Sequence, residues 1–108
     1  MGWVSLCEMS ELQEGLAKYV EIDGYHLAVF LNEGRPHVID NWCPHAGASM
    51  SAGHVREGYA ICPMHGWAFK LASGELYDSP GCKIDVYPVR IYDGRLVQVE
   101  LKSVDRRI

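Results

Sequence analysis

Two short stretches of the sequence pair a cysteine with a histidine close enough to serve one centre. They are Cys43-x-His45 and Cys62-x-x-His65, with sixteen residues between His45 and Cys62. A thiolate and an imidazole two or three positions apart in a tight loop can point at a common ion. Two such loops together supply two sulfurs and two nitrogens. A zinc finger of the Cys2His2 type places both cysteines first and both histidines last. Here the order is Cys, His, Cys, His. That mixed order suits a binuclear centre with chemically different ends, one metal taking both thiolates and the other both imidazoles. Cys7 and Cys82 have no histidine at ligand spacing and sit among apolar residues, so they read as buried thiols. His26, His37 and His54 read as half-exposed structural residues rather than further ligands.

The segments that must position these loops look like short strands. The chain has 11 Gly and 5 Pro, and turn signals recur every 8–12 residues between runs rich in Val, Ile, Tyr and Leu. The expected strands are 18–22, 25–31, 37–40, 59–62, 67–70, 83–91 and 96–101. Asp23-Gly24 and Asp93-Gly94 each lie between two such runs and predict hairpins, with a slightly longer turn at 32–35. Only 9–15 has helical character: Leu12 and Leu16 are four apart, Ser10 could be the N-cap, and two turns are the most it could form. The stretches 43–51 and 62–66 lack periodicity and read as loops, where functional residues concentrate. Gly47, Gly53 and Gly66 mark backbone that needs φ > 0 or a close approach to sulfides of such a centre. Trp42 and Trp67 flank the loops and read as core or loop-packing aromatics that also shield the inner end of the site.

The 108 residues amount to one ordinary domain, 1–108, and 48% hydrophobic with 22% charged residues excludes a disordered chain. Ten basic against 14 acidic residues give a net charge of −4, and the basic ones are scattered, which argues against a nucleic-acid partner. Glu8, Glu11 and Glu14 occupy the place of a signal peptide's apolar region. No run reaches the roughly 18–20 apolar residues that span a bilayer. The expectation is a cytoplasmic protein with no membrane partner, in a reducing compartment where disulfides do not persist.

The motifs Cys43-Pro44-His45-Ala46-Gly47 and Cys62-Pro63-Met64-His65-Gly66 resemble the two cluster-binding loops of Rieske iron–sulfur proteins. The resemblance extends over nearly the whole chain, through Pro80-Gly81-Cys82 to the closing hairpin at Asp93-Gly94. It implies an all-β fold: a Rieske-type antiparallel β-sandwich with a smaller cluster-binding subdomain built from two loops. It also implies one [2Fe–2S] cluster per chain, Cys43 and Cys62 on the inner iron and His45 and His65 on the outer, more exposed one. Imidazoles in place of two thiolates leave the oxidised cluster roughly neutral instead of about −2, which raises its reduction potential.

Two departures place the chain within that family. Rieske proteins of respiratory and photosynthetic complexes brace the loops with a disulfide, and at the matching positions this chain has Ala48 and Met64. Those proteins also carry Ser and Tyr hydroxyls near the cluster sulfurs, where this chain has Trp67 and Phe69. Fewer hydrogen bonds stabilise the reduced state less, so the potential should lie at the low end of the Rieske range.

Low-potential Rieske ferredoxins serve ring-hydroxylating oxygenases or occur as small subunits of NAD(P)H-dependent nitrite reductases. The resemblance therefore implies an electron carrier between a reductase and a terminal oxygenase, with no catalytic residues of its own. The alternatives are the small subunit of an assimilatory nitrite reductase, partnered by its large subunit, and a cluster-free structural or interaction module. Pro44, Pro63 and Met64 beside the two histidines make the expected exit for the electron.

Overall fold

β3, Tyr25–Asn32, explains the rest of the architecture, because its apolar residues are buried on both of its faces. A strand that alternates polar and apolar residues covers one core; a continuous apolar run implies two. Ala28 and Phe30 enter one packed group, while Tyr25, Leu27 and Val29 enter another. The computed structural model describes residues 2–44 and 47–101, apart from the side chain of Pro80.

The strands in chain order are β1 (Trp3–Glu8), β2 (Ala17–Ile22), β3, β4 (Arg35–Asp40), β5 (His54–Arg56) and β6 (Tyr59–Ile61). There follow β7 (Ala68–Lys70), β8 (Glu75–Leu76), β9 (Ser79–Lys83), β10 (Val86–Tyr87), β11 (Val89–Tyr92) and β12 (Leu96–Glu100). They form three antiparallel sheets, ordered β1-β12-β11, β10-β4-β3-β2 and β5-β6-β7-β8-β9. The four-stranded sheet is central. One face packs on Cys7, Val97 and Val99 of the three-stranded sheet, completing the sandwich. The other packs on Ala60 and Phe69 of the five-stranded sheet, together with Cys43 and Cys62. The smaller subdomain is thus a sheet in its own right, from which the second loop projects.

Asp23 and Gly24 both have positive φ, as do Glu33-Gly34 and Glu57-Gly58. Each pair joins two consecutive strands, the geometry whose twist matches that of the flanking strands. The turn at 33–34 is also fastened from outside: Gly34 N–H donates to the Glu14 carboxylate (3.0 Å), as does Glu33 N–H.

Four sequence expectations need correction. β1, β5, β8 and β9 were not expected. The segment 9–15 forms only a single 3₁₀ turn, Met9–Glu11, whose N-cap is Glu8 rather than Ser10, with Glu8 N–H donating to the Glu11 carboxylate (2.9 Å). The stretch 83–91 is not one strand. Pro88, which has no N–H for a ladder, separates β10 in the central sheet from β11 in the three-stranded one. Cys82 is exposed, because β9 is an edge strand with an irregular register against β8 alone. Cys7 is buried as expected, and burial pushes its thiol up to about 11, with the Glu11 carboxylate adding to the rise.

Candidate metal centre

The two cysteine-bearing loops are built alike. Trp42 bridges Ser49 below the first, and Ile61 pairs with Ala68 below the second, the same seven-residue span. Inside those pairs Cys43 N–H donates to the Ala48 carbonyl (2.9 Å) and Cys62 N–H to the Trp67 carbonyl (2.8 Å). Four positions after each cysteine stands a glycine in the left-handed region, Gly47 at φ 69° and Gly66 at φ 68°. A side chain there would strain the backbone that turns each loop back on itself. His65, also left-handed at φ 69°, is carried on the exposed outer part of the second loop.

Both cysteines lie at the bases of their loops, each only 1% exposed, in one packed group with Ile39, Met50 and Phe69. Their thiols are within hydrogen-bonding contact and form no disulfide. Burial pushes the Cys62 thiol up, the Met64 N–H at its sulfur pulls it down, and the neighbouring Cys43 thiol adds to the rise. Two desolvated thiols side by side, with a backbone N–H already aimed at one sulfur, suit a cation that binds them as thiolates. The donor set therefore fits a metal centre whose inner end takes sulfur. His65, the expected ligand of the outer end, is exposed on the second loop. His45, the remaining expected ligand, lies outside the described residues.

Around this pair the structure changes two expectations. Trp42 is 47% exposed rather than part of the core, because the alternation that buries Asn41 and Cys43 turns the residue between them outward. Its ring rests beside those of His26 and Tyr19, at 5.7 and 6.5 Å between centroids. Trp67 is half-buried against Phe69, which is fully buried. Gly53 is not left-handed, and its close approach is to neighbouring backbone rather than to sulfides: a Cβ built there would lie 1.9 Å from the Ile61 carbonyl oxygen. Ala48 packs partly buried against the core and Met64 is 47% exposed, so neither contributes a cross-link.

Sequence reasoning missed Asn41, two residues before Cys43 and fully buried. Its Nδ2 donates to the Ser49 hydroxyl (3.1 Å), and Ser51 N–H donates to its Oδ1 (3.0 Å). An Asn at a strand end ahead of a Ser-x-Ser segment was the available signal, since these side chains satisfy turn backbone.

The fold and the paired loops define a small β protein that brings two buried cysteines together beneath an exposed histidine. Residues 2–92 match the family model described as the Rieske [2Fe-2S] domain, and the chain belongs to that family. Its cofactor is a Rieske-type [2Fe–2S] cluster. The ferredoxin component of the naphthalene 1,2-dioxygenase system of Pseudomonas aeruginosa is 32% identical over 100 residues, covering 92% of this chain and 95% of its own. A solved structure from Mycobacterium tuberculosis, described as an NADH-dependent nitrite reductase small subunit, has a TM-score of 0.85 at 31% identity. It covers 95% of this chain and 97% of its own. A cholesterol 7-desaturase of Hemicentrotus pulcherrimus is 37% identical over 81 residues, 73% of this chain, but the chain spans only 17% of that protein. Among the described residues no helix is long and apolar enough to cross a membrane.

Proposed function

We propose that the chain is a one-electron carrier that accepts electrons from a reductase and passes them to a terminal oxygenase. In this reading 1–108 is a single Rieske domain, Cys43 and Cys62 hold the inner iron, and His45 and His65 hold the outer one. The observation that carries the reading is the pair of buried, contacting thiols at the bases of two matching loops. The cluster supplies reversible one-electron chemistry when bound. The chain's own residues do the rest: the buried thiols keep the inner end from water, and the exposed His65 brings the outer end to the surface.

Pro44, Pro63, Met64 and His65 are all exposed on these loops and form the face offered to a partner. A small, partly apolar face suits the brief encounters of a carrier that alternates between partners. The free thiols and the absence of a covalent brace suit a reducing cytoplasm.

The full-length likeness to a nitrite reductase small subunit favours a second reading, in which the same domain is a fixed subunit of a nitrite reductase. Stopped-flow mixing of the reduced protein with a terminal Rieske oxygenase tests the first reading. Rapid second-order reoxidation supports a carrier. Reoxidation only by a nitrite reductase large subunit, in a complex that stays together on gel filtration, overturns it in favour of the second.

A further inference from the structure

The two loops share an outline but not a foundation. The second is the tip of the β6–β7 hairpin, and below it three pairs form a continuous ladder: Ile61 with Ala68, Ala60 with Phe69, and Tyr59 with Lys70. The first has one bridge, between Trp42 and Ser49, and no ladder beneath it. β4 ends at Asp40, and the returning chain enters a single 3₁₀ turn, Met50–Ala52, instead of a strand.

The bonds that such a ladder would provide come largely from Asn41. Its backbone N–H donates to the His26 carbonyl (2.8 Å) on β3, and its carbonyl accepts from Met50 N–H (2.6 Å). Its carboxamide reaches across the stem to the returning chain. The Ser49 hydroxyl lies 3.1 Å from Nδ2 and 3.2 Å from Oδ1, and Ser51 N–H donates to the same oxygen. The Ser49 and Ser51 hydroxyls are 2.9 Å apart and complete the group. Among the described residues Asn41 is the one buried polar side chain, at 0% exposure. A network in that setting is strong when complete and costly when a member is removed.

We propose that Asn41 is a positioning residue: its carboxamide, through Ser49 and Ser51, fixes the first loop so that the Cys43 thiol meets that of Cys62. The inference rests on the reading of Cys43 and Cys62 as cluster ligands. It assigns to a hydrogen-bonded clamp the restraint that the first loop lacks from strand pairing. Asn41 itself touches no metal.

The test compares cluster-loaded Asn41→Ala, Asn41→Asp and Ser49→Ala with Val97→Ala, which weakens the other packed core without touching the loop. Asn41→Ala should release iron to a chelator about tenfold faster than the wild type, the factor that corresponds to losing one buried hydrogen bond. It should also change the EPR line shape of the reduced protein. Asn41→Asp keeps an acceptor for Ser51 N–H and for the Ser49 hydroxyl, and should recover most of both properties. Val97→Ala should leave the line shape unchanged. An Asn41→Ala protein matching Val97→Ala in iron release and line shape would reduce Asn41 to a general stabiliser and overturn the proposal. Should Asn41→Ala fail to fold, Ser49→Ala decides: a several-fold faster release with an altered line shape supports the clamp, and wild-type behaviour overturns it. A wild-type protein that takes up no iron and sulfide overturns the ligand reading and this inference together. Intact cluster chemistry in Asn41→Ala overturns the inference alone.

Discussion

Gly53→Ala should separate the two loops by a purely steric route. The added Cβ would sit 1.9 Å from the Ile61 carbonyl oxygen, about 1.5 Å inside ordinary van der Waals contact. It would also be 3.3 Å from the Met50 carbonyl oxygen. Both neighbours are backbone, so no side chain can rotate away. Ile61 belongs to the strand that delivers Cys62, and Met50 to the turn that follows the first loop. Relief therefore requires the two stems to move apart. Overpacking of a rigid site costs about 1–3 kcal/mol and occasionally more, and two unyielding contacts put this variant at the upper end. For a domain of this size roughly 3 kcal/mol lowers Tm by about 12–24 °C. The measurement is thermal and guanidinium unfolding of the apoprotein, with iron per chain determined after reconstitution. Gly81→Ala is the control, because nothing lies within 4 Å of its Cβ position and its φ is not positive; it should stay within about 0.5 kcal/mol of wild type. Equal stability and equal iron content for Gly53→Ala and Gly81→Ala would refute the reasoning.

Three further predictions concern the tuning of the site, its docking face and the remote thiol. Phe69 shares a packed group with both cysteines, so Phe69→Tyr combined with Trp67→Ser should bring hydroxyls toward the cluster sulfurs and raise the midpoint potential. One hydrogen bond of about 1 kcal/mol corresponds to roughly 40 mV for a one-electron couple; voltammetry showing no change or a fall would contradict this. Met64→Glu adds a charge to the exposed face and should slow electron transfer to the partner about tenfold while leaving the visible spectrum intact; unchanged stopped-flow kinetics would remove Met64 from the docking face. Burial raises the Cys7 pKa from 9.0 to about 11, so the folded state holds this proton more tightly than the unfolded chain does. Its contribution to stability is complete below pH 9 and is lost as pH rises toward 11. Cys7→Val should flatten the fall of the denaturation midpoint across that window, and an identical slope in the two proteins would count against the assignment.

The two loops were legible because residue types and spacing are local properties. Cys43, Cys62 and His65 stand on two loops, and Gly47 and Gly66 adopt the left-handed backbone read for them. The Asp23-Gly24 hairpin was legible for the same reason, since a turn is written in two adjacent residues. Glu57-Gly58 carried a similar signal but joined strands of three residues, too short to show a period. What stayed hidden depends on distant partners. β1 takes its place only by pairing with β12, at the other end of the chain. Trp42 is turned outward by the burial of Asn41 and Cys43 on either side, and Cys82 is exposed because β9 closes an edge. Asn41 shows its role only when Ser49 and Ser51 fold back against it.

The proposed function requires the [2Fe–2S] cluster to sit on Cys43, His45, Cys62 and His65. Iron and acid-labile sulfide analysis of anaerobically purified protein, with EPR of the dithionite-reduced form, tests it most directly. The expected result is two irons and two sulfides per chain, matching the family's cluster, a signal that appears on one-electron reduction, and loss of that signal on substituting any of the four residues. A zinc-loaded or metal-free protein, silent in EPR after reduction, would contradict it.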